Sequence, residues 1–190
     1  MRTTLSYLTR KRLASVVSEL AFQDEMGYLN LHSYMAYITD EGNRKKFGGK
    51  VAFRYNLRRF DDIIKEIGKK SGEQVLREHY ETLQKLIGDS GILCRLGGNH
   101  FIGLCDGDKL GRLLTYFSKA TVLYDPASGN SVKISASAGI FKIPEGYIVN
   151  NPGDIMEKVI SAYNAAESGD REHIVFYNDS LVIDKMLFMY

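Results

Sequence analysis

The stretch Arg95-Leu96-Gly97-Gly98-Asn99-His100-Phe101 joins two short apolar runs, residues 92–96 and 101–105. A Gly-Gly-Asn core between apolar runs is a strong signal for a β-hairpin whose turn needs positive φ angles. Two glycines leave the backbone bare at the tip, so a phosphate or another backbone can approach closely there. A plain tight turn is the simpler interpretation of these residues alone. The stretch therefore predicts a central hairpin.

Length and composition limit the class of protein. The 190 residues are 44% hydrophobic and 25% charged, with a formal net charge of +2, which suits one domain with a core that needs no disulfide. This charge provides no broad field for nucleic acid, so no nucleic-acid partner is expected. Cys94 and Cys105 lack neighbouring ligands at metal-site spacing and are predicted to be buried free thiols.

The N-terminal segment and the C-terminal segment carry their own predictions. Apolar spacing from Leu5 to Leu20 predicts an amphipathic helix that packs on another helix or domain rather than on a membrane. With no run of 18 apolar residues and no signal-peptide centre, we expect no membrane insertion and a cytoplasmic location. Residues 180–190 are apolar and helix-like, and we expect a further domain to follow them.

Apolar periodicity predicts the elements between these segments. A helix over residues 29–38 ends near Gly42-Asn43, and the basic run Arg44-Lys45-Lys46 that follows is interpreted as a solvated loop. The predicted strands are 50–57, the two arms of the hairpin, 121–124, 132–143 and 173–177, and the predicted helices are 60–67, 75–87, 110–117 and 155–166. This alternation predicts an α/β sandwich in which helices cover one sheet.

The order of elements and motifs resembles a GGDEF domain, the diguanylate cyclase family, over about residues 19–177. The hairpin lies where the family has its signature, Phe60 begins the phosphate-loop helix, and Gly68 and Gly72 match two spaced glycines after it. The resemblance implies a palm-like fold related to nucleotidyl cyclases, with a ferredoxin-like core sheet. It divides the chain into a connector helix (1–22), a degenerate GGDEF domain (23–178) and a C-terminal helical extension (179–190).

The chain departs from the family where active members hold metal. The two positions after the signature glycines, where active members have acids, hold Asn99 and His100 here. The acid positions at the end of the first strand hold Asn56 and Arg58. Phosphoryl transfer of this kind depends on hard cations held by carboxylates. Set against the family it resembles, the chain is therefore expected to hold no metal ion and no cofactor and to have no catalytic residue.

Nucleotide recognition is altered as well. The family's guanine-binding amide falls at Ile64 and its guanine-binding acid at Glu73, while its phosphate-binding lysines fall at Asp61 and Ala166. The product-inhibition motif before the hairpin would fall on Gly88 and Gly91 and is missing. The degenerate active-site positions are Asn56, Arg58, Asp61, Ile64, Glu73, Gly97, Gly98, Asn99 and His100.

A basic cluster leaves two interpretations open. Strand alternation puts Arg54, Asn56 and Arg58 on one face, and arginine binds phosphate through a fork of donors, so Arg58 and Arg59 with Glu73 are candidates for an anion or nucleotide site. The simpler alternative is an exposed charged face, or Arg58 paired with Asp61 or Asp62. His100 is interpreted as a histidine with a structural partner, and Tyr163 as a core residue.

These observations favour a catalytically inactive GGDEF domain that acts as a regulatory or protein-interaction module in bacterial cyclic di-GMP signalling. Its expected partners are other domains of the same polypeptide or another protein, with weak or no nucleotide binding and a homodimer through the connector helices. One alternative is a module that senses GTP or cyclic di-GMP without turnover. The other is a diguanylate cyclase with an altered site, in which Asn56, Asn99 and His100 would have to hold the metals.

Overall fold

A computed structural model describes residues 21–40, 46–149 and 151–178. Of the predicted connector helix, only Ala21 and Phe22 fall within these ranges, and both are helical. Residues 1–20, most of the basic run at 44–46 and the predicted extension at 179–190 lie outside the described residues. Within those ranges, no helix combines the length and the apolar character needed to cross a bilayer.

Helices and strands alternate along the described chain. The helices are α1 Leu31–Thr39, α2 Phe60–Ile67, α3 Lys69–Ile87, α4 Leu110–Ser118 and α5 Pro152–Ser168. The strands are β1 Lys50–Leu57, β2 Ile92–Gly97, β3 His100–Asp106, β4 Ala120–Asp125, β5 Asn130–Ile134, β6 Ala136–Lys142 and β7 Ile174–Phe176.

Five strands form the main sheet in the order β2-β3-β1-β6-β7. The central strand β1 is antiparallel to both β3 and β6, and β7 is parallel to β6. Strands β4 and β5 form a separate two-stranded sheet, and β4 packs against α3. The expectation of one sheet is therefore wrong, because this second hairpin lies on the helical layer and not at the edge of the main sheet.

The alternation in β1 explains why helices lie on both faces of the main sheet. Val51, Phe53, Tyr55 and Leu57 point to one face and are buried there in a core that includes residues of α3 and α4. Ala52 points to the other face, where a second core contains residues of α1 and α5. Apolar residues on both faces are typical of a strand in the middle of a covered sheet, although Arg54 and Asn56 follow Ala52 on the second face.

Two thiols and one histidine are notable among the buried side chains. Cys94 and Cys105 are free and buried, as predicted, and they belong to opposite cores. His79 of α3 is completely buried, and its two ring nitrogens contact the hydroxyls of Tyr55 and Tyr116 at 2.8 and 2.9 Å.

The sequence predictions for β1 and α2 are confirmed to the residue, whereas several other boundaries are wrong. α1 ends at Thr39 rather than near residue 42, and α3 begins at Lys69 rather than at residue 75. The strand predicted over 132–143 is two strands that separate at Ser135, whose carbonyl accepts a hydrogen bond from the Arg58 amide. That bond holds the chain beside the end of β1, at the point where it leaves β5 and enters β6.

Candidate functional site

The tip of the β2–β3 hairpin is built from glycine conformations. Gly97 and Gly98 have φ angles of 128° and 52°, which side-chain-bearing residues rarely adopt. The register of the pair shifts between Arg95 and Gly97. Arg95 Nε donates to the carbonyl oxygen of Gly98 at 2.7 Å, so the arginine closes the turn at its tip.

Arg95 also holds the turn that precedes α1 against the hairpin. Its Nη1 lies 3.2 Å from Asp24 Oδ2, and its guanidinium lies 5.1 Å from the centre of the Tyr28 ring. Asp24 Oδ1 in turn accepts the backbone N–H groups of Met26 and Tyr28. The signature hairpin is therefore fixed from the N-terminal side by one partly buried ion pair.

Asn56 occupies the first of the expected metal positions, near the end of β1. It lies opposite His100 of β3 and Ser137 of β6. Its Nδ2 donates to Glu167 Oε2 at 3.4 Å, while its Oδ1 is buried without a hydrogen-bond partner among the described residues. The sequence analysis missed Glu167, although its spacing of four residues from Tyr163 places both on one face of α5.

Asn99 occupies the second expected metal position and binds backbone. Its Nδ2 donates to the carbonyl oxygen of Leu57 at 2.6 Å, and the Leu57 N–H donates to the Asn99 carbonyl oxygen at 3.2 Å. The side chain thereby ties the hairpin tip to the end of β1. A carboxylate could not make the first of these bonds, because it has no proton to donate.

His100 occupies the third position and contacts α5. Its Nδ1 lies 3.3 Å from the hydroxyl oxygen of Tyr163, and the Arg54 guanidinium lies 4.6 Å from the centre of the same tyrosine ring. Burial, and next the charge of Arg54, lower the pKa of His100 below its usual value. Burial, and next the Glu167 charge, raise the pKa of Tyr163 to about 12. Tyr163 is thus buried as expected, but it also joins His100 to Arg54.

The predicted arginine cluster is divided in the structure. Arg54 packs on Tyr163, whereas Arg59 is exposed at the start of α2 and has a φ of 53°. The alternative in which Arg58 pairs with Asp61 or Asp62 is wrong, because the described residues form neither ion pair and Asp62 pairs with Arg59 and Lys65. Within the described ranges, the Arg58 side chain forms no hydrogen bond or ion pair.

Two of the four expected nucleotide positions, Ile64 and Ala166, are occupied by packing residues. Ile64 covers Gly72, where an added Cβ would lie 2.8 Å from Ile64 Cγ1, so the absence of a side chain at Gly72 lets α2 and α3 approach closely. Ala166 is fully buried and Glu73 is exposed. The structure therefore brings Asn56, Asn99 and His100 to one end of the sheet, and leaves Glu73 and Asp61 at the surface of the helices.

The donor set at this end of the sheet differs from a magnesium site. Glu167 is the carboxylate that contacts it, and the other groups are two amides and an imidazole. In the part of the chain that the structure describes, no three His, Cys, Asp or Glu side chains form a group that could hold a metal ion. Two-metal phosphoryl transfer requires several carboxylate oxygens held around the ions.

Comparison with known proteins decides the family. The family model "Diguanylate cyclase, GGDEF domain" matches residues 50–173. The chain belongs to the GGDEF family. This GGDEF domain is 26% identical over 140 residues to the signaling protein YkoW of Bacillus subtilis, and the match spans 69% of the chain but 17% of YkoW.

Solved structures share the fold of this GGDEF domain. The coiled coil and GGDEF domain of DgcB from Caulobacter crescentus, in complex with c-di-GMP, gives a TM-score of 0.68 at 14% identity, and the match covers 92% of this chain and 95% of the solved DgcB chain. The diguanylate cyclase SiaD of Pseudomonas aeruginosa, in complex with its activator SiaC, gives 0.63 at 20% identity, covering 92% of this chain and 69% of SiaD. At these identities the likeness establishes the fold alone.

Proposed function

We propose that this GGDEF domain does not make cyclic di-GMP and acts as a regulatory, protein-interaction module within a larger signalling protein. The proposal includes the division into a connector helix (1–22), the domain (23–178) and an extension (179–190). It also includes a cytoplasmic location, which suits two free buried thiols. YkoW supports the larger assembly, because the match occupies a small part of its length.

One observation carries the proposal. Asn56, Asn99 and His100 stand where the family resemblance expects carboxylates, and each binds another part of the protein: Glu167, the Leu57 carbonyl and the Tyr163 hydroxyl. These contacts give the three side chains structural partners in place of metal ions. A divalent cation would have to displace them and would gain few charged oxygens in return.

A turnover assay tests the absence of catalysis. The purified 190-residue chain is incubated with GTP and either Mg²⁺ or Mn²⁺, and cyclic di-GMP is measured beside an active diguanylate cyclase. We expect no product above the background. Metal-dependent product would contradict the proposal and would support the cyclase with an altered site.

Nucleotide sensing is the second candidate, and Arg58 favours it. Its side chain has no hydrogen bond or ion pair with the described residues, and it lies beside the N-terminal end of α2. Calorimetric titration with GTP and with cyclic di-GMP, each with Mg²⁺ or with EDTA, separates the two candidates. No heat of binding supports the interaction module. Saturable binding without product supports the sensor, and Arg58→Ala should then weaken that binding.

A further inference from the structure

A cleft of about 450 Å³ lies between α1 and α5, over strands β1, β2 and β3. Its walls and floor are mainly apolar, and the apolar lining residues are Leu31, Leu96, Ile102, Met156 and Ile160. None of Asn56, Asn99 and His100 lines the cleft. Its volume is in the range of sites that take small molecules.

Arg54 is the residue that gives this cleft a chemical preference. Its guanidinium is held over the Tyr163 ring, its Nε is buried without a hydrogen-bond partner, and it forms no ion pair with any described residue. A charged donor in an apolar setting is costly to leave unpaired. The cation–π contact fixes the plane of the guanidinium but satisfies none of its N–H groups.

The other charges around the cleft already have partners. Arg95 and Asp24 both line it, and they bind each other at 3.2 Å. Asp24 is the one carboxylate among the lining residues of this cleft. The charge that remains unbalanced is therefore that of Arg54.

We propose that this cleft binds a small organic anion. A carboxylate or phosphate group would accept the N–H donors of Arg54, and an aromatic or aliphatic body would lie against Leu96, Ile102 and Ile160. Arginine suits this task because its planar fork binds such groups through two parallel hydrogen bonds. The site goes beyond the proposed function, since Arg54 is not a degenerate active-site position and Gly97 is the one such position among the lining residues of the cleft.

Amide chemical shifts of the isotope-labelled 190-residue chain test the proposal. Benzoate and phenyl phosphate are the probes, and benzyl alcohol is the neutral probe of similar shape. We expect one or both anions to give saturating shifts at the amides of Gly97, Ile102 and Ile160. Arg54→Gln should weaken binding about tenfold or more, because a charge-assisted contact is lost, and Arg54→Lys should restore part of it.

Arg112→Gln is the matched control, since it removes the same charge from an exposed position on α4 that does not line the cleft, and it should leave the affinity unchanged. Thermal melting of each variant confirms that it is folded. Three results would overturn the inference: no saturation with either anion, equal binding of benzyl alcohol, or shifts confined to the start of α2. The last result would instead support the nucleotide sensor, so the two proposals fail separately.

Discussion

At the scale of single residues, His79 links the stability of the fold to pH. Both of its ring nitrogens contact tyrosine hydroxyls inside the core, and burial lowers its pKa from 6.5 to about 3. Between these two values the unfolded chain binds a proton that the folded chain excludes. The free energy of unfolding therefore falls as the pH falls through this range and is largest above pH 6.5.

His79→Gln should flatten this dependence. Urea unfolding between pH 5 and pH 7 should give a wild-type slope that approaches about 1.4 kcal/mol per pH unit below 6.5. The glutamine keeps one donor and one acceptor for the tyrosines but does not titrate. The exposed His32→Gln is the matched control and should keep the wild-type slope. An unchanged slope in His79→Gln would assign the pH dependence to other groups.

Asn99 carries a second prediction at this scale, because the family acid no longer suits its surroundings. Asn99→Asp replaces the amide donor with a carboxylate that faces the Leu57 carbonyl oxygen. The change should lower the free energy of unfolding at pH 7 by about 1–3 kcal/mol. Gln84→Glu at an exposed position of α3 makes the same change from amide to carboxylate, is the control, and should change it by less than about 0.5 kcal/mol. Chemical denaturation measures both, and equal stability of Asn99→Asp and wild type would show that the contact is dispensable.

At the scale of elements, the approach of α5 to β6 is set by a glycine. A Cβ added at Gly139 would overlap the backbone of Tyr163, with the Tyr163 Cα at 2.6 Å. Gly139→Ala should therefore push the helix from the sheet and lower the free energy of unfolding by about 3 kcal/mol or more. Gly111→Ala in α4, where no atom lies within 4 Å, should be neutral or stabilising by up to about 1 kcal/mol. Thermal denaturation compares the two, and a mild effect at Gly139 would mean that α5 can shift at little cost.

Elements were more predictable from the sequence than the site. The strict alternation of β1 and the switch to helical spacing at Phe60 follow directly from which side chains are buried. The bounds of β1 and α2 could therefore be predicted from the sequence. The Asn56–Glu167 contact joins residues 111 positions apart, and no periodicity encodes such a pair. Likewise, the two-residue spacing of Arg54, Asn56 and Arg58 predicted a shared face, but not that Tyr163 would cover the first of them.

At the scale of the whole molecule, the two cores share one sheet and should unfold together. Each core contains one thiol, Cys105 in one and Cys94 in the other, and burial raises the pKa of both to about 12. Neither should react with a thiol reagent while the chain is folded. In each of the single-cysteine variants Cys94→Ala and Cys105→Ala, the remaining thiol therefore reports on the core at one face of the main sheet.

Labelling of these variants across a urea series should follow the global unfolding curve of each variant. The expected outcome is that the urea concentration at half-labelling coincides with the unfolding midpoint measured by circular dichroism. Both thiols would then report one cooperative transition. Labelling of one thiol well below its variant's midpoint would show that one helical layer opens alone.

The strand order also constrains how the protein is made. β1 is completed at residue 57, yet one of its neighbours, β6, begins at residue 136. A nascent chain that has emerged through β3 at Asp106 can pair β1 on one side and must present its other edge, with open backbone donors and acceptors, until translation has reached the end of β6 at Lys142. The rate of translation and the availability of chaperones should accordingly affect the soluble yield of this domain more strongly than the free energy of unfolding of the folded domain does.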